Sequence, residues 1–148
     1  MSNTTIYILT AVVIVAIFLL FGLQLKPLVM QGTHEYVALN DVRGMAVKYE
    51  GKLYTLNLKQ QAEAIDLLNN VQPVQGRAFT AQQRNAVDIQ EIIIYRFAPK
   101  PDISISPIAY VDDSLVFSAP LWQQMQYLME QSHGTLKALL SKTHAQAN

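Results

Sequence analysis

The chain has 148 residues, with 11 basic and 11 acidic side chains and no cysteine. This balanced charge argues against nucleic-acid binding, which needs a concentrated basic face. The lack of cysteine excludes a lipid-acylated cysteine and a zinc site built on thiolates.

Residues 1–5 are predicted to form a short tail and residues 6–25 a transmembrane helix. No Asp, Glu, Lys or Arg occurs before Lys26. A bilayer core about 30 Å thick takes about 20 helical residues to cross, which matches this apolar run. A cleaved signal would need a basic start and a small-residue cleavage site, and the sequence offers neither. We therefore expect an uncleaved single-pass signal anchor, with the lipid bilayer as partner and the bacterial inner membrane as location.

The side of the membrane that the C-terminal domain faces stays open. Lys26 follows the apolar run directly, and positive flanking residues favour the cytoplasmic side. A single lysine is a weak determinant, so the periplasmic side remains the alternative.

Residues 26–42 are predicted to form a linker that leads into an edge strand. Beyond it, about 110 residues suffice for one domain and not for two. The pair Glu50-Gly51 predicts the turn of a hairpin with strands at 43–49 and 52–56.

Asn57 is predicted to cap the helix that follows the hairpin, because Gln60 stands three residues later, as in a capping box. The apolar positions predicted to form its buried face are Leu58, Ala62, Ile65 and Leu68. Residues 72–86 are polar and are predicted to be a loop with a short helix after Thr80.

Residues 88–97 are predicted to form a central strand covered on both faces, because Ile92, Ile93 and Ile94 are consecutive. A second hairpin is expected to turn at Asp112-Asp113. In its first strand, Pro107 predicts either an edge position or a bulge.

Ser118 is predicted to cap a further helix. The side chains expected on its buried face are Leu121, Met125 and Leu128. Residues 133–148 are predicted to be a C-terminal helix or frayed tail, so that the α+β domain covers 43–132. An offset of 62 residues superimposes the two predicted hairpin–helix units, which raises the alternative of a pseudo-repeat.

The predicted fold class is α+β. A single N-terminal transmembrane helix precedes a small domain with an antiparallel or mixed sheet of about five strands and two to three helices.

The sequence predicts no catalytic, cofactor-binding or metal-binding residue, and no enzyme. His34, His133 and His144 lack zinc-ligand spacing, and no serine sits in a glycine-flanked nucleophile elbow. The aromatic side chains fit core positions. The alternative is a ligand pocket lined by Tyr54, Tyr95, Tyr110 and Trp122.

These features favour a non-catalytic accessory or assembly subunit that docks its domain onto a larger membrane or envelope complex. Protein partners are therefore expected, through exposed strand edges near Pro107 or at residues 36–40. The alternatives are a membrane-tethered sensory or ligand- or peptide-binding domain, and an immunity protein.

Overall fold

The computed structural model describes residues 3–8, 12–13, 35–74, 78–122 and 126–146. The chain divides into two units, Met1–Gln31 and Gly32–Asn148. In the first unit, the described residues are helical. The strands and helices named below belong to the second unit.

The prediction of a transmembrane helix over residues 6–25 is wrong for the part of the chain that can be tested. Among the described residues, no helix has the length and apolar character needed to cross a membrane. A crossing takes about 20 helical residues, whereas the longest described helix has 12. The prediction of a single-pass signal anchor, which depended on this helix, is therefore wrong as well. Within the predicted span, residues 9–11 and 14–25 lie outside the described residues.

The second unit is α+β, with one seven-stranded sheet in which every pairing is antiparallel. The strands are β1 (Val42–Tyr49), β2 (Lys52–Thr55), β3 (Val71–Val74), β4 (Ile89–Arg96), β5 (Ile103–Val111), β6 (Ser114–Ser118) and β7 (Tyr127–Glu130). The helices are α1 (Leu58–Asn69), α2 (Ala81–Asn85) and α3 (Thr135–Ala145), and Leu39–Asp41 form a 3₁₀ turn. The strand order is β2-β1-β4-β5-β6-β7-β3.

Both predicted hairpins are confirmed. Glu50 and Gly51 connect β1 to β2 with φ of 45° and 78°, and Asp112 and Asp113 connect β5 to β6 with φ of 49° and 61°. Positive φ at both central residues defines the turn that matches the twist of paired strands, and glycine and aspartate tolerate it.

The central position of the strand is confirmed, since β4 lies between β1 and β5. The expected cover on both faces is wrong, because Ile92 and Ile94 are fully buried on one face while Ile93 on the other face is half-exposed. Pro107 occupies β5, an inner strand, and the pairing of β5 with β6 shifts register between Pro107 and Ala109. The bulge alternative is therefore correct and the edge alternative is wrong. Residues 36–40 contain no strand either, so the partner-accepting edges expected at these two places do not exist. The two edge strands are β2 and β3.

The capping box at Asn57 and Gln60 is confirmed, but the predicted buried face of α1 is rotated. Its buried residues are Gln61, Ala64, Ile65 and Leu68, while Leu58 is 83% exposed. Gln61 fixes this phase because its side-chain amide donates to the Leu56 carbonyl at 2.7 Å.

The segment predicted as a loop over 72–86 contains the edge strand β3, which pairs with β7. In the sequence, Pro73 argues against a strand, since proline has no N–H to donate to a neighbouring strand, but an edge strand tolerates proline. The short helix after Thr80 is confirmed as α2, with Thr80 and Gln83 forming a capping box.

The helix predicted after Ser118 is wrong. Ser118 ends β6, and the segment that follows enters β7, where Leu128 lies opposite Phe117. Leu128 and Glu130 are buried while Tyr127 is exposed, which is the period of two of a strand. The spacing of Leu121, Met125 and Leu128 alone predicts a helix. Met125 lies outside the described residues. The hairpin–helix repeat therefore fails in its second half, and the sheet has seven strands instead of about five.

The register assigns the two faces of the sheet, because residues opposite each other in antiparallel strands share a face. Met45 is opposite Ile94, which is opposite Ile103, and α1 and α3 pack on this face. The largest fully buried side chains of this main core are Met45, Leu56, Leu68, Ile92, Ile94, Ile103, Ile105, Leu115, Phe117, Leu128, Leu136 and Leu140.

The opposite face carries a second, smaller apolar cluster. Ala109, Val111 and Val116 on β5 and β6 pack there with Phe79, which precedes α2. The described cover of this face is thus concentrated on the β5–β6–β7 half.

Candidate functional site

A serine and a histidine lie close together where the β5–β6 turn meets the start of α3. Ser114 Oγ is 3.4 Å from His133 Nδ1, but Ser114 is only 1% exposed and its Oγ accepts the His133 backbone N–H at 3.2 Å. A nucleophile must reach its substrate, and this hydroxyl is enclosed. The pair therefore joins the turn to the helix.

Glu130, which is 0% exposed, completes this junction instead of orienting the histidine. Its two carboxylate oxygens accept the backbone N–H groups of Leu115 at 3.0 Å and Ser132 at 2.7 Å. A buried carboxylate is tolerated when such donors surround it. Its role is therefore to hold the start of β6 against the β7–α3 connection.

The other histidines form no metal site in the described part of the chain, where no cluster of three potential ligands occurs. His144 stacks on the Tyr49 ring at 4.0 Å, with Tyr54 edge-on at 6.3 Å. His34 lies outside the described residues.

The four aromatic residues proposed as one pocket lie in separate places. Tyr95 is opposite Gly44 on the face away from the main core, under the Arg43 guanidinium at 5.2 Å. Tyr54 and Tyr110 are on the core face, but β1 and β4 lie between their strands, which puts them at least about 14 Å apart.

Trp122 and Tyr110 are both buried. Trp122 packs edge-on against Phe117. Burial raises the pKa of the Tyr110 phenol, and the nearby carboxylates of Asp88, Glu130 and Asp113 raise it further.

Arg96 is a buried charge whose partners the fold supplies. Its guanidinium donates to Glu35 Oε1 at 2.9 Å and to the Pro101 carbonyl at 2.6 Å, and its backbone N–H donates to Asp102. Because a buried charge is tolerated when it is paired, this arrangement anchors the loop between β4 and β5.

The face opposite the main core is accessible on its β2–β1–β4 half, which we name the open face. The register places eight side chains there: Ala46, Lys48, Leu53, Thr55, Glu91, Ile93, Tyr95 and Ser104. All but Ala46 are exposed or half-exposed. Lys48 lies opposite Glu91, and Ser104 donates to Glu91, so the open face combines apolar side chains with charges of both signs.

The edge strand β2 borders the open face and has free backbone groups. Leu56 N donates to Met45 O at 3.0 Å. Because hydrogen-bonding residues alternate along an antiparallel strand, Lys52 and Tyr54 also face β1. The N–H and C=O groups of Leu53 and Thr55 therefore point away from the sheet, and the Leu53 side chain is 54% exposed.

A separate feature is a groove of about 720 Å³ between the start of α1 and the length of α3. Its walls carry Lys59, Glu63 and Lys142, and within the described chain these three charges have no ion-pair partner within 4.0 Å. Gln60 donates to Gln146 across the groove at 3.4 Å.

Sequence reasoning missed both features. The free edges were expected elsewhere because the order of the strands in the sheet cannot be read from the sequence. The groove requires the packing of two distant helices, which no local pattern encodes. Comparison with known proteins adds no assignment, since no family model, curated protein or solved structure matches this chain.

Proposed function

We propose that this chain is a non-catalytic protein-interaction domain, an accessory or assembly subunit, that docks through β2 and the open face. The observation that carries the proposal is the free backbone of Leu53 and Thr55 on an edge strand that continues into an accessible sheet face. A partner strand would satisfy these groups by strand addition, while its side chains contact the open face.

The composition of the open face supports a protein partner. Ile93 and Tyr95 offer apolar area, and the charges of Lys48 and Glu91 lie opposite each other, so no single sign of charge dominates. Interfaces between proteins combine apolar and aromatic area with few uncompensated charges. The enclosed positions of Ser114 and Glu130 favour a non-catalytic role.

Site-specific photo-crosslinking in cells that produce the protein tests this proposal. Leu53 and Leu121 are 54% and 53% exposed, so Leu121 is a matched control outside β2. A photoreactive residue at position 53 is expected to give a discrete product of higher mass that is absent from position 121. Identical products from both positions, or none from either, would refute the proposal.

The groove between α1 and α3 supports a second candidate function, binding of a small polar ligand. Its volume lies in the range of ligand sites, about 300 to 1,000 Å³, and its unpaired Lys59, Glu63 and Lys142 could meet both signs of charge on such a ligand. Titration with acetate, inorganic phosphate and free amino acids, followed by NMR, should shift the Lys142 resonances and leave those of Lys52 unchanged. Equal shifts at both lysines would refute a specific site.

A further inference from the structure

We infer that the strand which pairs with the β2 edge comes from a second copy of this chain. This inference rests on the proposed function, because it names the partner that occupies the same edge. Two β2 strands would meet antiparallel across a two-fold axis, and the two sheets would join into one.

The free backbone groups determine the register. Leu53 and Thr55 both present outward N–H and C=O groups, so the largest number of bonds forms when Leu53 of one copy faces Thr55 of the other. Each such pair exchanges two hydrogen bonds, and the two-fold axis generates both pairs. Tyr54 then lies opposite its own symmetry mate, in a non-hydrogen-bonded pair.

The side chains fit this self-pairing on both faces of the joined sheet. Aromatic residues opposite each other stabilise antiparallel strands, and Tyr54 is supported from behind by Tyr49 at 6.5 Å and His144 at 6.3 Å. On the open face, Leu53 of one copy lies diagonal to Leu53 of the other, at a spacing of about 7–8 Å that long side chains can cover. The most exposed part of β2 would thus be shielded.

The charges also permit a second copy. The chain carries 11 basic and 11 acidic residues, so two copies do not repel each other through net charge. Lys52 is the one charged residue of β2. In this register the two Lys52 side chains lie four residue spacings apart, about 14 Å, which exceeds the Debye length of about 8 Å at physiological salt.

Lysine is a common means of protecting an edge strand from pairing. Here Lys52 lies at the turn end of β2, outside the pair formed by Leu53 and Thr55. The other edge strand, β3, carries Pro73, which has no N–H to donate. The free pairing capacity is therefore concentrated on β2.

Disulfide trapping tests the register directly, because the natural chain has no cysteine. The variant Tyr54→Cys places two sulfurs in opposed positions, within the Cα separation of about 4.4–6.8 Å that a disulfide needs. We expect a covalent dimer on mild oxidation of purified Tyr54→Cys. Leu53→Cys is the matched control in the same strand, since its diagonal Cα separation exceeds about 7 Å. Equal trapping of both variants, or of neither, would overturn the inferred register and the inference.

Sedimentation equilibrium provides an independent test on the unmodified chain. We expect a reversible dimer that Leu53→Pro weakens at least about tenfold, because proline removes an outward N–H in each copy. The ladder with β1 does not use this N–H, so the variant should keep the circular dichroism of the parent. A parent chain that stays monomeric to about 1 mM would overturn the inference.

The outcomes separate this inference from the proposed function. A crosslink from position 53 to a different protein, together with a monomeric purified chain, would overturn the second copy and support the docking edge. The lack of any product specific to position 53 would overturn both.

Discussion

Replacing Glu130 by leucine should destabilise the domain severely. The β6–β7 ladder ends where Val116 lies opposite Met129, and the Glu130 carboxylate takes over by accepting the next N–H, that of Leu115, at 3.0 Å. Its other oxygen accepts Ser132 N–H at 2.7 Å. Leucine has a similar volume and no acceptor, so it fills the site while leaving both donors without a partner.

The cost follows from the surroundings of the two donors. Leu115 is fully buried, so its N–H cannot turn to water, and an unsatisfied buried donor costs about 1–3 kcal/mol. Ser132 is half-exposed, and water can replace part of its bond, which leaves roughly 1 kcal/mol. We expect Glu130→Leu to lower the free energy of unfolding by about 2–4 kcal/mol.

Urea unfolding followed by circular dichroism measures this change, provided that the m-value stays constant. Glu91→Leu is the matched control, because Glu91 also lies within a strand but is half-exposed and accepts from the exposed Ser104. The control should lose less than about 1 kcal/mol. Equal losses in the two variants, or a loss below 1 kcal/mol for Glu130→Leu, would show that the buried carboxylate does not support the junction.

Three further predictions concern the turn, the helix cap and the buried phenol. Gly51→Ala should lower the free energy of unfolding by about 1 kcal/mol, because φ is 78° at this position. Gly44→Ala should be nearly neutral, because its added Cβ would meet only Tyr95 at 3.8 Å. A larger loss for Gly44→Ala than for Gly51→Ala in urea unfolding would contradict the turn geometry. Asn57→Ala should cost about 1 kcal/mol by removing the cap of α1, and Asn57→Asp should restore most of it; a neutral alanine variant would argue against the cap. Because the pKa of Tyr110 is raised above the usual value of 10.0, its neutral phenol stabilises the fold fully below pH 10, and above pH 10 the free energy of unfolding falls by about 1.4 kcal/mol per pH unit. Tyr110→Phe should remove this part of the loss at alkaline pH, and an unchanged dependence of urea unfolding on pH would refute the prediction.

The parts of the fold that could be predicted from sequence are those set by adjacent residues. Glu50 with Gly51 determines a turn through backbone conformation alone, and Asn57 with Gln60 determines a helix start through two reciprocal hydrogen bonds. Both devices are set mainly by residues adjacent in the chain, so both are visible in a short stretch of sequence.

The parts that could not be predicted depend on distant partners. Residues 71–74 become a strand because β7 offers a ladder, against the local signal of Pro73. The segment around Leu128 has apolar spacing compatible with a helix, yet pairing with Phe117 selects a strand. The edges of the sheet follow from strand order, which is a global property. The sequence therefore indicates that an exposed strand edge exists, but it points to Pro107 and residues 36–40 instead of β2.

The distribution of satisfied polar groups explains why the surface, and not the interior, carries the proposed function. Within the described residues, the buried Arg96 and Glu130 form their hydrogen bonds with the backbone or within an ion pair. The Asn69 side chain forms two hydrogen bonds with the backbone of Val37, at 2.8 and 2.9 Å. Groups held in this way stabilise loops and junctions and have little capacity left for a ligand. His144 Nδ1 is an exception, buried without a hydrogen-bond partner, and its ring lies behind Tyr54. Free backbone bonding capacity lies along the β2 edge, where a partner strand would satisfy it.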